Sequence, residues 1–148
     1  MTAIPAEIPA VILAPGEAEG RVAALAEPLS LWGGYDPATG QVIDRWHPDH
    51  GRILAGRVLV MRAGRGSSSG SSVLAEAIRA GFGPAAIVLA EADAILAIGA
   101  IVAQELYGRA CPVVRVAAVD LAAIAAMPSA RIEASGGAGR VLPLSVVR

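Results

Sequence analysis

Three short apolar runs, rich in Val, Ile and Leu, constrain the fold more than any other feature: "RVLVM" (Arg57–Met61), "PAAIVLA" (Pro84–Ala90) and "CPVVRVA" (Cys111–Ala117). Each has the length and residue types of a buried strand. Two segments of helical character lie between them. In the first, Val73, Leu74, Ala77 and Ile78 recur at helical spacing, with Glu76 and Arg79 facing away and Gly81 as a stop. In the second, "AILAIGAIVAQELYG" (Ala94–Gly108) fits a buried helix ending at Gly108. Strand, helix, strand, helix, strand is the order of an α/β domain.

The flanks add shorter pieces to one domain spanning residues 1–148. "AVILAPG" (Ala10–Gly16) and "RVAALA" (Arg21–Ala26) are extended, with "EAEG" expected as a tight connection between them. Pro28–Gly51, "PLSLWGGYDPATGQVIDRWHPDHG", reads as a long irregular region and holds both tryptophans. "DLAAIAAM" is a short helix with Asp120 as its expected N-cap, and "RIEASGGAGRVLPL" is a closing hairpin around Gly136–Gly137.

Composition matters because there is more apolar material than one small core needs. Apolar residues plus glycine, tyrosine aside, make up roughly two-thirds of the 148 residues, against about 45–50% in an average soluble domain. A membrane is not expected to absorb the surplus. The central uncharged runs, Ala80–Ala90 and Ala94–Gln104, are interrupted by Glu91 and Asp93 and fall short of a spanning helix. The N-terminus lacks a basic segment and carries Glu7, so no signal peptide is expected. A large partner surface is the better expectation, in a cytoplasmic protein. Nucleic acid is not expected as a partner: the net charge is −1, the twelve basic residues are all arginine and scattered, and aromatics are 3%. Cys111 is read as a small buried thiol. One cysteine with His47 and His50 cannot complete a metal site, so this chain is expected to bind no metal itself.

Gly64–Ser72, "GRGSSSGSS", packs five serines and three glycines between a strand and a helix. This order presents backbone N–H groups to an anion, and Arg65 strengthens such a pocket. It is neither a Walker A loop, lacking the terminal Gly-Lys-Ser/Thr, nor a dinucleotide fingerprint, because its glycines run G-x-G-x-x-x-G. The alternative is a solvated turn in which Ser71 or Ser72 caps the helix. No histidine lies close by in sequence to activate a serine. A second candidate is "LWGGYDPATG", where Trp32 precedes Gly33 and Gly34 and where Asp36, with Asp44 beyond, offers a carboxylate; the alternative there is a β-turn.

The "WGG-D" element, the "HP--G" turn and the "GRGSSS" loop, in that order and spacing between Pro28 and Val114, resemble the small swivel-domain subunit of the aconitase X family. The resemblance implies a swivelling β/β/α domain. The element order also resembles the swivelling phosphohistidine domains of phosphoenolpyruvate-using enzymes. Those carry a histidine at the start of the central helix, where this chain has "DAILAIGAIVAQ", so phosphotransfer is excluded.

Membership would make the chain part of a hydro-lyase, with a large catalytic subunit holding an iron–sulfur cluster and this subunit closing over it. By the Gly-Ser-Ser pattern of ordinary aconitases, the catalytic serine would be Ser67. Arg65, Gly66, Ser68, Ser69, Gly33, Gly34 and Asp36 would line the site for a small anionic substrate. Ordinary aconitases continue that pattern with an arginine where this chain has Ser69, and Arg65 is the candidate replacement. The family acts on cis-3-hydroxy-L-proline in bacteria, giving 1-pyrroline-2-carboxylate, or on mevalonate 5-phosphate in archaea. A lysine-free chain without acidic excess points to the first. The other readings are a non-catalytic stabilising domain and a stand-alone anion-binding module.

Overall fold

The computed structural model describes residues 7–144. β1 (Ile8–Ala14) and β2 (Gly16–Ala24) come first, followed by a kinked turn, α1 (Leu31–Gly34), and a small hairpin of β3 (Tyr35–Asp36) and β4 (Gln41–Val42). The central alternation is β5 (Val58–Val60), α2 (Gly70–Ala80), β6 (Ala86–Leu89), α3 (Ala94–Tyr107) and β7 (Val113–Arg115). A 3₁₀ turn (Ala118–Asp120), α4 (Leu121–Ala125), β8 (Ser129–Ser135) and β9 (Ala138–Pro143) close the chain. The strands form a closed barrel in the order β1-β7-β6-β5-β2-β8-β9, with β9 returning to pair with β1. β2, β5, β6 and β7 run parallel to one another, and the remaining barrel pairings are antiparallel.

The three apolar runs are buried because the strands they form are covered on both faces, the usual condition of parallel strands linked by helices. Alternation sends successive residues to different cores. Val58, Val60, Ala86, Val88 and Val114 join Ile8, Ile132, Val141 and the α4 residue Ile124 in one. Leu59, Ile87, Leu89 and Val113 join Leu74, Ala77, Leu96 and Ala103 of α2 and α3 in the other. Both long helices end as the sequence predicts, on left-handed glycines Gly81 and Gly108. The hairpin turns at Gly136–Gly137 as expected.

One expectation fails, and another holds in position only. "EAEG" is not a connection: Pro15 alone separates β1 from β2, and Glu17–Gly20 are strand residues paired with β8. Their alternation is that of a half-exposed strand, with Glu17 and Glu19 outside and both bonded to Arg131 across the sheet, at 2.6 and 3.4 Å. Asp120 stands at the N-cap position of α4 but caps nothing with its side chain, because the preceding 3₁₀ turn runs directly into the helix.

Among the described residues no helix is long and apolar enough to cross a membrane. The signal-peptide expectation rests partly on residues 1–6, outside the described residues. Part of the apolar surplus lies on α3, where Ile98, Ile101, Val102, Leu106 and Tyr107 are exposed.

α2 and α3 touch through Gly99. A Cβ there would lie 2.7 Å from the Ser71 carbonyl oxygen and 3.2 Å from Leu74 Cβ. Gly99→Val is therefore expected to lower stability by about 1–3 kcal/mol through overpacking, read as a lower denaturant midpoint with an unchanged slope.

Candidate functional site

The serine loop leaves β5 at its C-terminal end and enters α2. Arg65, Gly66, Ser67 and Ser68 are exposed, and Ser69 is half-buried. Gly66 has φ +98°, and a Cβ on it would collide with the Ser30 side chain, so the loop can pass this point only with glycine. Helix α2 begins earlier than the sequence suggested. Ser69 occupies the N-cap position without a side-chain cap bond, and Ser71 and Ser72 are already helical. The alternative reading, with Ser71 or Ser72 as the cap, does not hold. Ser71 instead donates its hydroxyl to the Ile95 carbonyl at 2.6 Å, tying α2 to the first turn of α3.

Ser67 orders the loop. Its Oγ accepts the Ser69 N–H at 3.1 Å, and its carbonyl accepts the Gly70 N–H at 3.0 Å. The Ser71 N–H goes to the Ser68 carbonyl at 3.2 Å. The amides of Gly66, Ser67 and Ser68 meet no acceptor among the described residues. The available donors are therefore those just before the helix, not those of its first turn.

The loop is flanked by the other sequence candidate. A Cβ built on Gly70 would lie 3.8 Å from Leu31 Cβ and 3.9 Å from the Trp32 amide nitrogen. Trp32 is 58% exposed, and Gly33, with φ +79°, has open space around it. Gly34 is different: it is buried, its carbonyl accepts the Ile43 N–H, and a Cβ would stand 3.1 Å from Leu29 Cδ1. Asp36 spends Oδ1 on the Ala38 N–H at 2.9 Å and its carbonyl on Gly40. Gly34 and Asp36 thus build the region's own turns. Asp44 does reach the loop, with Oδ2 3.9 Å from the Arg65 guanidinium and Oδ1 accepting the Trp46 N–H.

The histidines are not ligands together. His50 is exposed, and His47 is buried. Asp49 N–H donates to His47 Nδ1 at 3.0 Å, which leaves Nε2 to carry the proton and donate to the Glu27 carbonyl, also at 3.0 Å. Asp49 continues the anchor by accepting from the Ala26 N–H at 2.9 Å and from Arg52 at 3.1 Å. Burial alone would raise the Asp49 carboxyl, but the Ala26 amide and the Arg52 guanidinium outweigh it and hold it below its usual value. Cys111 is buried as expected, and burial pushes its thiol up to about 12. Tyr35, raised first by burial and then by Cys111, donates its hydroxyl to the Phe82 carbonyl at 2.6 Å. Among the described residues no three His, Cys, Asp or Glu side chains gather as a metal site.

Two polar residues beside the loop were not singled out from the sequence as site residues. Ser30 faces Gly66, and nothing in "PLSL" announces it. Asp93 caps α3 by accepting the Leu96 N–H at 2.9 Å, and its position before "AILAIG" is the N-cap signal that would have found it. A notch of about 10 Å³ runs between Ser67, Arg65, Gly64 and Asp93, walled by Leu29, Leu31, Ile95 and Leu96.

The fold is a closed strand barrel with two helices on one side and a serine-glycine loop between a parallel strand and a helix. Comparison with known proteins places it. The aconitase X swivel domain matches residues 7–141, and the chain belongs to that family. It is 53% identical over 106 residues to cis-3-hydroxy-L-proline dehydratase of Pseudomonas aeruginosa, covering 72% of this chain and 18% of that one. It is 43% identical over 97 residues to the phosphomevalonate dehydratase small subunit of Methanothermobacter thermautotrophicus, covering 66% of this chain and 74% of that one. A crystal structure of Thermococcus kodakaraensis aconitase X in its holo-form superposes with a TM-score of 0.78 at 32% identity, over 94% of this chain and 98% of that one. The chain therefore spans about a fifth of the dehydratase it matches at 53% identity and most of the archaeal small subunit.

The Asp49 anchor yields a pH test. Its carboxyl is held low in the folded state, so its contribution is full above the unfolded value, about 4, and is lost as pH falls through the lower folded value. Asp49→Asn is expected to cost about 1 kcal/mol at neutral pH. The gap in melting temperature from the unsubstituted protein should close as the pH is lowered below about 4.

Proposed function

We propose that this chain is the small subunit of an aconitase X-type hydro-lyase and that Ser67 takes a proton from the substrate. The observation that carries the reading is the state of the Ser67 hydroxyl: exposed, beside three unengaged amides and Arg65, with the Ser69 N–H already on its oxygen. An N–H bond to Oγ favours the alkoxide over the hydroxyl, which a serine acting as base requires. The unengaged amides of Gly66, Ser67 and Ser68, with the Arg65 guanidinium, suit the carboxylate or phosphate of a small anionic substrate. Ser68, Ser69 and the open backbone at Gly33 complete the lining. Gly34 and Asp36 are left out because their contacts are spent within their own loop.

Dehydratases of the aconitase type use an iron–sulfur cluster. The residues here do not fit one: Cys111 is alone and buried, and the described residues bring no ligand group together. The cluster is assigned to a large partner subunit, and the exposed apolar face of α3 supplies a surface for such a partner. A cytoplasmic location belongs to the same reading. For the substrate, 53% identity to a cis-3-hydroxy-L-proline dehydratase favours dehydration of that compound to 1-pyrroline-2-carboxylate. Mevalonate 5-phosphate is the second reading, favoured by the match in size to the archaeal small subunit.

The chain alone should turn over neither substrate, and activity should appear on adding an aconitase X large subunit. In the assembled enzyme, Ser67→Ala should lower turnover at least about a hundredfold while the melting temperature and assembly stay close to those of the unsubstituted complex. Ser72→Ala should spare the rate. Turnover by the isolated chain would refute the subunit reading. A fully active Ser67→Ala complex would place the base elsewhere and leave this domain a stabilising one.

A further inference from the structure

The proposed base has no histidine beside it, yet the loop is not without an acidic neighbour. Asp93 lines the same notch as Ser67. Its Oδ1 is committed to the Leu96 N–H. Its Oδ2 has no protein partner among the described residues and stands against Gly64, where a built Cβ would run into it. No buried side-chain oxygen or nitrogen among the described residues is left without a partner, so Oδ2 is not sealed in. At about 10 Å³ the notch is of the size that holds one water, and Asp93, Ser67 and Arg65 supply the polar neighbours such a water needs. The remaining walls, Leu29, Leu31, Ile95 and Leu96, are apolar and would keep that water from exchanging partners freely.

Resting on the assignment of Ser67 as base, we propose that Asp93 is a positioning residue for it, acting through one water held between Asp93 Oδ2 and Ser67 Oγ. As Oγ bonds the substrate's proton, its own hydroxyl proton passes to the water, and a proton of that water passes to Asp93 Oδ2. Ser67 Oγ then gives the substrate-derived proton to the departing hydroxide, and the proton on Asp93 returns through the water to Oγ, so one water leaves and both side chains return to their starting states. The cap at Oδ1 fixes the carboxylate's direction, and the missing side chain at Gly64 leaves room for Oδ2.

Asparagine and serine cap helices about as well as aspartate, so Asp93→Asn and Asp93→Ser remove the charge while keeping the cap. In the assembled enzyme both are expected to lower kcat about a hundredfold, with KM and melting temperature nearly unchanged. Asp93→Glu, a poorer cap, should melt lower yet recover part of kcat. Wild-type kcat in Asp93→Asn, alongside an inactive Ser67→Ala, would overturn this inference and leave the Ser67 assignment standing; an active Ser67→Ala complex would overturn both. A high-resolution crystal structure of the chain provides a readout independent of turnover. A water within about 3.2 Å of both Asp93 Oδ2 and Ser67 Oγ is expected. A dry notch, or a Ser67 hydroxyl turned out of it, would overturn the proposal.

Discussion

The constraint on which the rest depends is that β5, β6 and β7 are covered on both faces. Neighbours such as Leu59 and Val60 belong to different cores, one shared with α2 and α3 and the other with the strands and α4. A slip of one residue in β5 would exchange the two sets, so its register is fixed from both sides. Only Met61–Ala63 separate β5 from the serine loop, so that register also sets where Arg65 and Ser67 emerge. The precision of the loop is inherited from the cores beneath it.

Around this loop, the groups divide into those that hold and those that remain available. His47, Asp49 and Arg52 bind the Pro28–Gly51 region to the end of β2. Ser71 binds α2 to α3, and Gly34 and Asp36 shape their own turns. What is left facing outward is compact: the amides of Gly66, Ser67 and Ser68, the Ser67 hydroxyl and the Arg65 guanidinium. On the proposed reading, this set is one part of a site whose remaining chemistry a large subunit supplies.

Much of this was legible in the sequence because the signals were local and repeated. The three β-branched runs, the period of α2 and the glycines at 81 and 108 each obey one rule with no tertiary competitor. "EAEG" misled because two glutamates beside a glycine resemble a turn until Arg131, far away in sequence, pairs with both. The start of α2 was missed because any of five serines can cap a helix, and local bonding from Ser67 decided among them. The juxtapositions of Asp44 with Arg65 and of Asp93 with Gly64 join residues 21 and 29 positions apart, and only the fold brings them together. Parallel pairing and closure of the barrel likewise depend on long-range partners that no local pattern encodes.

Closure has a consequence for how so apolar a chain behaves on its own. A strand at an open sheet edge offers unpaired N–H and C=O groups to any similar chain it meets, and a sequence 55% hydrophobic would be an efficient template for such growth. Among the described residues each barrel strand has a neighbour on both sides, and the one hairpin outside the barrel has two residues in each strand. The conspicuous apolar surface is instead on α3, whose backbone is satisfied within the helix. Contact made there is by side chains alone, reversible and without a ladder to propagate.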